Sequence, residues 1–320
     1  MGGKKGGIVS PVSANRPIGV NTDFALDVRL FWLSPALQPY FTALYCFDID
    51  CRDGPIIKDC LHPEWAAMRF TVGTPPLAMI GPGPMSRVAP FVVSGPTCTS
   101  IRFGLKTSRI WGLGLQPAGW AKFVSGSARS FADRTVDGSA DPAFALFAPL
   151  LDLVHQPFDS AEDTAAAING FLMAHANRAV VGEEQIRACH AALLDPEIAN
   201  VGALAERLGL QSRTLERLCG RYFGFPPKML LRRQRFLRSL ARFVLEPNRN
   251  WSEAMDGQYY DQAQFVRDFR SFMAMTPSEY ALSPHPILDR IMAQRMADQG
   301  AAPQTDKPTI LRYAEGGEAG

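Results

Sequence analysis

Between residues 24 and 140 the apolar residues come in short runs or alternate with polar ones, and a breaker ends nearly every run. The runs are YFTALYCFDI, AAMRFTVG, PLAMIG, APFVVS, TSIRFGLK and IWGLGLQP. Among the breakers are Asp53-Gly54-Pro55, Gly73-Thr74-Pro75-Pro76, Gly81-Pro82-Gly83-Pro84 and Gly95-Pro96. Short strands closed by turn residues predict a barrel or sandwich. Past residue 140 the period changes. Residues 143–156 read as a short helix, and 160–177 as another that opens with Ser160-x-x-Asp163, a capping-box-like start. From 183 to about 282 nearly everything is helical, and ILDRIMAQRMAD predicts one more helix before a Gly/Ala/Pro-rich end. The expected chain is α+β. It has a disordered arm at 1–22, a β-rich domain at 23–140, a helical linker at 141–180, an all-α domain at 181–283, and a C-terminal helix with a flexible tail at 284–320.

Within the helical part, Asn200 can cap a short helix bearing Val201, Leu204, Ala205 and Leu208, and Gly209 can end it. Gln211 or Ser212 opens the next helix. There Leu215, Leu218, Cys219 and Tyr222 fall at i, i+3, i+4 and i+7 and make an apolar face. Arg213, Arg217 and Arg221 fall at i, i+4 and i+8, on the opposite side. Two short helices joined at a glycine, the second showing arginines outward, describe a helix-turn-helix with its recognition helix. A helical hairpin with a solvated basic face is the bland alternative.

Pro226-Pro227 can start a longer helix over 227–245, with Met229, Leu230, Phe236, Leu237, Leu240, Phe243 and Val244 as its apolar stripe. Nineteen residues span ~28 Å, close to the ~34 Å between successive major grooves on one face of B-DNA. Such a helix could hold two readers. The second reader is expected over 251–282. There Asp261 caps a helix with Phe265, Val266, Phe269, Phe272 and Met273 inward, and with Ala263, Gln264, Arg267 and Ser271 outward. Gln and Arg can reach adenine and guanine edges.

Charge sharpens this picture. The whole chain of 320 residues carries only +2, yet residues 207–249 hold eleven basic side chains against two acidic. Ten of the eleven are arginine, which suits forked contacts to phosphate and guanine. Residues 250–284 carry a net −3. Arg235, on the long helix, is expected to contact phosphate.

The region 183–282 resembles the double helix-turn-helix DNA-binding domain of the AraC family of transcription regulators. The matching residues are Leu204-Ala205 with Gly209, Arg213-x-Leu215-x-Arg217 and Gly224-x-Pro226. The second half adds Tyr259-x-Asp261-x-x-x-Phe265-x-Arg267-x-Phe269 and Thr276-Pro277-x-x-Tyr280. The resemblance covers about a third of the chain. It implies that Arg213, Glu216 and Arg217, flanked by Ser212 and Arg221, face bases in one groove. In the second groove it implies Gln262, Ala263, Gln264 and Arg267. Family members usually have Phe at Cys219, Gly at Gln258, His at Gln264 and Gly at Ala274, so the second reader is expected to bind weakly or to fix orientation. By the same analogy the N-terminal half is a cupin-like barrel that senses an effector or dimerises. Its Arg102-Phe103-Gly104-Leu105 and the strand, turn and helix from Trp111 to Trp120 are the part that resembles such domains. The implied partners are double-stranded DNA, a small-molecule effector, a second copy of the chain and RNA polymerase.

Other chemistry finds less support. Cys51, Cys60 and His62, with Cys46 as a fourth, match no zinc spacing, so no metal and no cofactor are assigned. There is no G-x-S-x-G and no P-loop, and no catalytic residue is assigned. A cupin-type metal-dependent enzyme with a helical accessory domain is the alternative reading. It needs a cluster of His and carboxylate ligands, and among residues 24–140 His62 is the single histidine. No apolar run approaches the ~18–20 residues of a membrane span, and the start lacks a secretory h-region. The expectation is a cytoplasmic, nucleoid-associated protein that is not an enzyme.

Overall fold

The computed structural model describes residues 24–51, 54–245 and 250–291. The expected arm at 1–22, and the expected C-terminal helix beyond Ile291, lie outside these residues. Among the described residues the N-terminal half holds β1 (Ala25–Phe31), β2 (Phe41–Asp50), β3 (Ile57–Leu61), β4 (Ala66–Gly73), β5 (Leu77–Ile80), β6 (Ser86–Arg87), β7 (Phe91–Ser94), β8 (Ile101–Leu105), β9 (Ser108–Leu115) and β10 (Thr135–Asp137). They form two antiparallel sheets, in the orders β1-β2-β9-β4-β7-β10 and β3-β8-β5-β6. Short runs between Gly/Pro breakers are therefore strands, as the pattern predicts.

The larger sheet is the middle layer, which explains why β2 reads as a nearly continuous apolar run. Leu44 and Cys46 point into one core with Met68, Phe70, Trp111 and Leu113. The alternate residues Tyr45, Phe47 and Ile49 point into another, with Ile57 and Phe103 of the smaller sheet. A strand covered on both faces cannot show polar alternation.

The first of these cores is closed by α1 (Pro117–Phe123), α2 (Pro149–Val154) and α3 (Ala161–Ala174). Ser160 caps α3 by accepting from the Asp163 N–H at 3.1 Å. The expected helix 143–156 is broken into a 3-10 turn at Pro142–Phe147 and then α2. Pro149 is the cause, since it has no N–H to continue the ladder. Segment 141–180 is no loose tether, because Phe144, Phe147, Leu150, Ile168 and Leu172 are buried against the sheet.

The C-terminal half contains α4 (Glu183–Leu194), α5 (Val201–Leu208), α6 (Ser212–Phe223), α7 (Pro227–Leu245), α8 (Trp251–Ala254), α9 (Gln262–Met273) and α10 (Pro277–Leu282). The longest helix among the described residues spans the 227–245 that its stripe predicts. No described helix is long and apolar enough to cross a membrane.

The two halves are packed together. Trp65, in the turn before β4, and Ala118 of α1 are buried in one cluster with Ile186, Leu215 and Phe223. Ser100 bonds the last turn of α9. Its N–H donates to the Phe272 carbonyl at 2.7 Å and its Oγ to the Met273 carbonyl at 3.1 Å. His62 Nε2 and the Tyr280 hydroxyl lie 2.8 Å apart.

Helix α9 ends on Ala274 at φ 57°, in the left-handed region. A Cβ there meets the following carbonyl oxygen, a strain of roughly 1–2 kcal/mol. Ala274→Gly is expected to raise the unfolding free energy by about 0.5–1 kcal/mol, net of glycine's greater freedom in the unfolded chain. Urea denaturation checks it, and a loss of stability would show that the methyl group packs better than the backbone is strained.

Candidate nucleic-acid interface

Helix α5 starts where Asn200 Oδ1 accepts from the Ala203 N–H at 3.0 Å. It ends on Gly209 at φ 61°, with the Leu210 N–H reaching back to the Ala205 carbonyl at 2.9 Å. Gln211 occupies the N-cap position of α6 without a side-chain cap, and α6 runs to Gly224 at φ 84°. Leu215, Leu218, Cys219 and Phe223 are buried beneath it against Ile186, Cys189 and Leu193 of α4. Tyr222 is half-buried at the edge of this face.

On the opposite face Ser212, Arg213, Glu216, Arg217 and Arg221 are all exposed. Among the described residues Arg213 and Arg217 make no hydrogen bond or ion pair with the protein. Arg207 and Lys228 are exposed nearby. At about 100° per residue, Gly220 falls on this same side, one turn beyond Glu216 and Arg217. A Cβ built on Gly220 would lie 2.4 Å from the Arg129 guanidinium. The 3-10 turn Ala128–Phe131 thus brings an exposed arginine of the N-terminal half onto this face of α6, where a larger residue at position 220 would push its guanidinium aside.

The arginines of α7 behave differently from those of α6. Arg232 donates to Asp268 Oδ1 at 2.6 Å and Arg235 to Asp268 Oδ2 at 3.1 Å. The Tyr259 hydroxyl donates to the same carboxylate at 3.2 Å. Arg238 donates to Asp256 Oδ2 at 2.7 Å. Burial works upward on the Asp256 carboxyl, but the Arg238 hydrogen bond and charge and the Gln258 amide outweigh it, so its pKa is lowered. Arg233 is 1% exposed. It lies 3.7 Å from the Trp65 ring centre and donates to the carbonyls of Glu64 and Thr97 at 3.2 and 3.0 Å.

The expectation that Arg235 contacts phosphate therefore needs correcting. Its guanidinium is committed to Asp268 and stacked 4.3 Å over Tyr259. The net −3 of residues 250–284 has the same explanation, because two of its acids are counter-ions to α7. One signal for this was legible. Asp268 sits three residues after Phe265 and one before Phe269, on the apolar face of α9, where an unpaired carboxylate would not be tolerated.

In the second unit, Asp261 caps α9 by accepting from the Gln264 N–H at 2.6 Å. Gln262, Ala263 and Arg267 are exposed. Gln264 is half-buried, and its Oε1 accepts from the Tyr260 N–H at 3.0 Å. Helix α8 has four residues, so this unit has a much shorter first helix than α5.

A partly open cavity of about 110 Å³ lies between the two sheets of the N-terminal half. Tyr45, Phe47, Phe103 and Val92 line it, and Ile287 and Ile291 reach in from the segment after α10. Its polar corner is Arg69, which donates to Glu64 at 2.8 Å and to the Tyr45 hydroxyl and Ser94 Oγ at 3.1 Å each. Burial opposes the Arg69 charge, but Glu64 and Tyr45 more than offset it and its pKa is raised. All six cysteines are free and buried. Burial, the largest cause, pushes the Cys46, Cys60 and Cys98 thiols up to about 12. Burial thus disfavours the free thiolate, which argues against redox sensing through them.

A helix-turn-helix domain family matches residues 204–283. No curated protein matches the chain in sequence. Among solved structures, ToxT from Vibrio cholerae O395 is 10% identical with a TM-score of 0.40, covering 81% of this chain and 97% of that one. Unsaturated fatty acid-bound ToxT from Vibrio cholerae strain SCE256 is 9% identical with a TM-score of 0.38, covering 82% and 95%. The AraC-like transcriptional activator CuxR is 14% identical with a TM-score of 0.30, covering 71% and 85%.

Proposed function

We propose that this chain, whose C-terminal domain is an AraC-type helix-turn-helix DNA-binding domain, is a one-component transcription regulator that reads duplex DNA chiefly through α6. The observation that carries this is the pair Arg213 and Arg217. Both are exposed on the outer face of a helix whose inner face is fully packed, and both have guanidinium groups uncommitted to the protein. Ser212 and Glu216 stand beside them at the base edges, and Arg221, Arg207, Lys228 and Arg129 meet phosphates around them. In the second unit Gln262, Ala263 and Arg267 approach the next groove. Gln264, held by Tyr260, acts more as a cap than as a reader, so this unit serves mainly to orient the first.

The N-terminal half is the sensor. Its cavity is of the scale that admits a benzene-sized group, where engineered cavities of ~150 Å³ do so. An effector with an apolar body and a polar end facing Arg69 and Glu64 fits it. Ile287 and Ile291 form part of the wall, so an occupant there would bear on the segment that follows α10. A second copy of the chain and RNA polymerase complete the proposed partners, and the site of action is the cytoplasm.

Selection of binding sites from random duplex DNA by the full chain tests the reading. The expected result is one strongly enriched half-site, with a weaker second element about one helical turn away. Salt-sensitive binding without any enriched sequence would overturn it.

A further inference from the structure

Asp59 and Cys60 of β3 and His285, which follows α10, are 225 residues apart along the chain and meet in the interior. All three are buried, and one ligand atom from each lies within 4.8 Å of the others. Consecutive strand residues normally point to opposite faces. Asp59 overcomes this by curling back so that its Oδ1 accepts its neighbour's amide, the Cys60 N–H, at 2.7 Å. Its Oδ2 accepts the Ile287 and Leu288 N–H groups at 2.8 Å each.

The histidine exposes a conflict. His285 Nε2 lies 3.1 Å from the Tyr280 carbonyl oxygen, which can only accept, so Nε2 carries a hydrogen. With a hydrogen on Nε2 alone, the ring turns the lone pair of Nδ1 toward Asp59 Oδ1, another acceptor, at 3.1 Å. Two acceptors would then face each other in a buried site, so either a proton or a metal ion belongs between them. Cys60 Sγ is 3.9 Å from the same Nδ1.

We propose that Asp59, Cys60 and His285 bind a divalent transition-metal ion of the zinc class, which ties β3 of the sensor half to the segment after the second reader. Ligand atoms on a tetrahedral zinc stand roughly 3.2–3.8 Å apart, given bond lengths of about 2.0–2.3 Å; here Nδ1 lies 3.1 Å from Oδ1 and 3.9 Å from Sγ, and all three atoms lie within 4.8 Å. The mixed sulfur, nitrogen and oxygen donor set selects zinc over magnesium or calcium. The Nε2–H bond to a backbone carbonyl is the outer-shell contact that orients ligating histidines. On binding, the Cys60 S–H gives up its proton to water, and the metal dication balances the thiolate and the carboxylate. The fourth position is left to water. The ion would fix Ile287 and Ile291, and so one wall of the cavity.

The test uses the untagged full chain, stripped with a chelator and dialysed against zinc. One zinc per chain by elemental analysis is expected. The melting temperature should rise on adding zinc until one equivalent is present. Cys60→Ser and His285→Gln should each abolish both effects, with circular dichroism showing that the metal-free variants fold. Cobalt should give the unaltered chain a thiolate charge-transfer band that Cys60→Ser lacks, a readout that needs no comparison of stabilities. No retained zinc in the unaltered chain would overturn the site and leave a proton on His285 as the positive centre. Zinc retained equally by both variants, or cobalt bound without a thiolate band, would overturn it as well. None of these readouts involves DNA, so the outcome is separate from that of the regulator reading.

Discussion

Asp268→Ala is expected to remove about 3–5 kcal/mol of stability, the usual loss when one partner of a buried ion pair is deleted. Asp268 is 3% exposed and accepts from Arg232, Arg235 and Tyr259. Without it, Arg235 keeps its charge while 13% exposed, with no other carboxylate paired to it among the described residues. Arg232, at 34%, can turn to water, which limits the loss. The pair joins α9 to α7, so the second reader should loosen first. Urea denaturation followed by the fluorescence of Trp251, which stacks on Phe243 of α7, reads both. Arg235→Ala should likewise lower stability while leaving the salt dependence of DNA binding unchanged. A loss below about 1 kcal/mol in Asp268→Ala would mean that the carboxylate is effectively solvated, and that α7 presents its arginines outward after all.

Arg217→Ala and Arg213→Ala should each weaken binding to the selected DNA site by ~1–3 kcal/mol, which is about five- to 150-fold. Each should also relax preference at one or two base positions. Neither side chain has a hydrogen bond or ion pair to lose among the described residues, so melting temperatures should stay close to that of the unaltered chain. Arg221→Ala should act differently. It should weaken all sequences alike and flatten the slope of log affinity against log salt by about one. Binding titrations on the selected site and on a scrambled site, at several salt concentrations, separate the two behaviours. Equal loss on both sequences for Arg213 and Arg217 would show that α6 does not read bases.

Much of this protein is legible in order along the chain. The caps at Asn200 and Asp261, the glycine stop at Gly209 and the extent of α7 all follow from local chemistry. Each depends on a few neighbouring residues and on dihedral preferences that distant packing rarely overrides. The β-rich half was recognisable from its breakers for the same reason. Strand pairing was not, since partners such as Phe70 and Trp111 lie far apart in sequence.

Charge was the least reliable guide. Periodicity placed the arginines of α6 and α7 alike beside apolar stripes, and both sets looked available to phosphate. What separates them is the surface each helix packs against. Helix α6 turns its arginine face to solvent. Helix α7 is covered on both sides, by α9 with its buried Asp268 and by the N-terminal half with Trp65. A sequence counts charges, but free energy depends on which of them are already paired.

From the sequence alone came the helix-turn-helix, its reading helix and the β-rich half before it, because local periodicity and capping specify them. Only the tertiary structure decided which cations remain for DNA, that the two halves share a buried interface, and that Asp59, Cys60 and His285 meet. Those outcomes depend on contacts between residues tens to hundreds of positions apart, and no local pattern records such contacts.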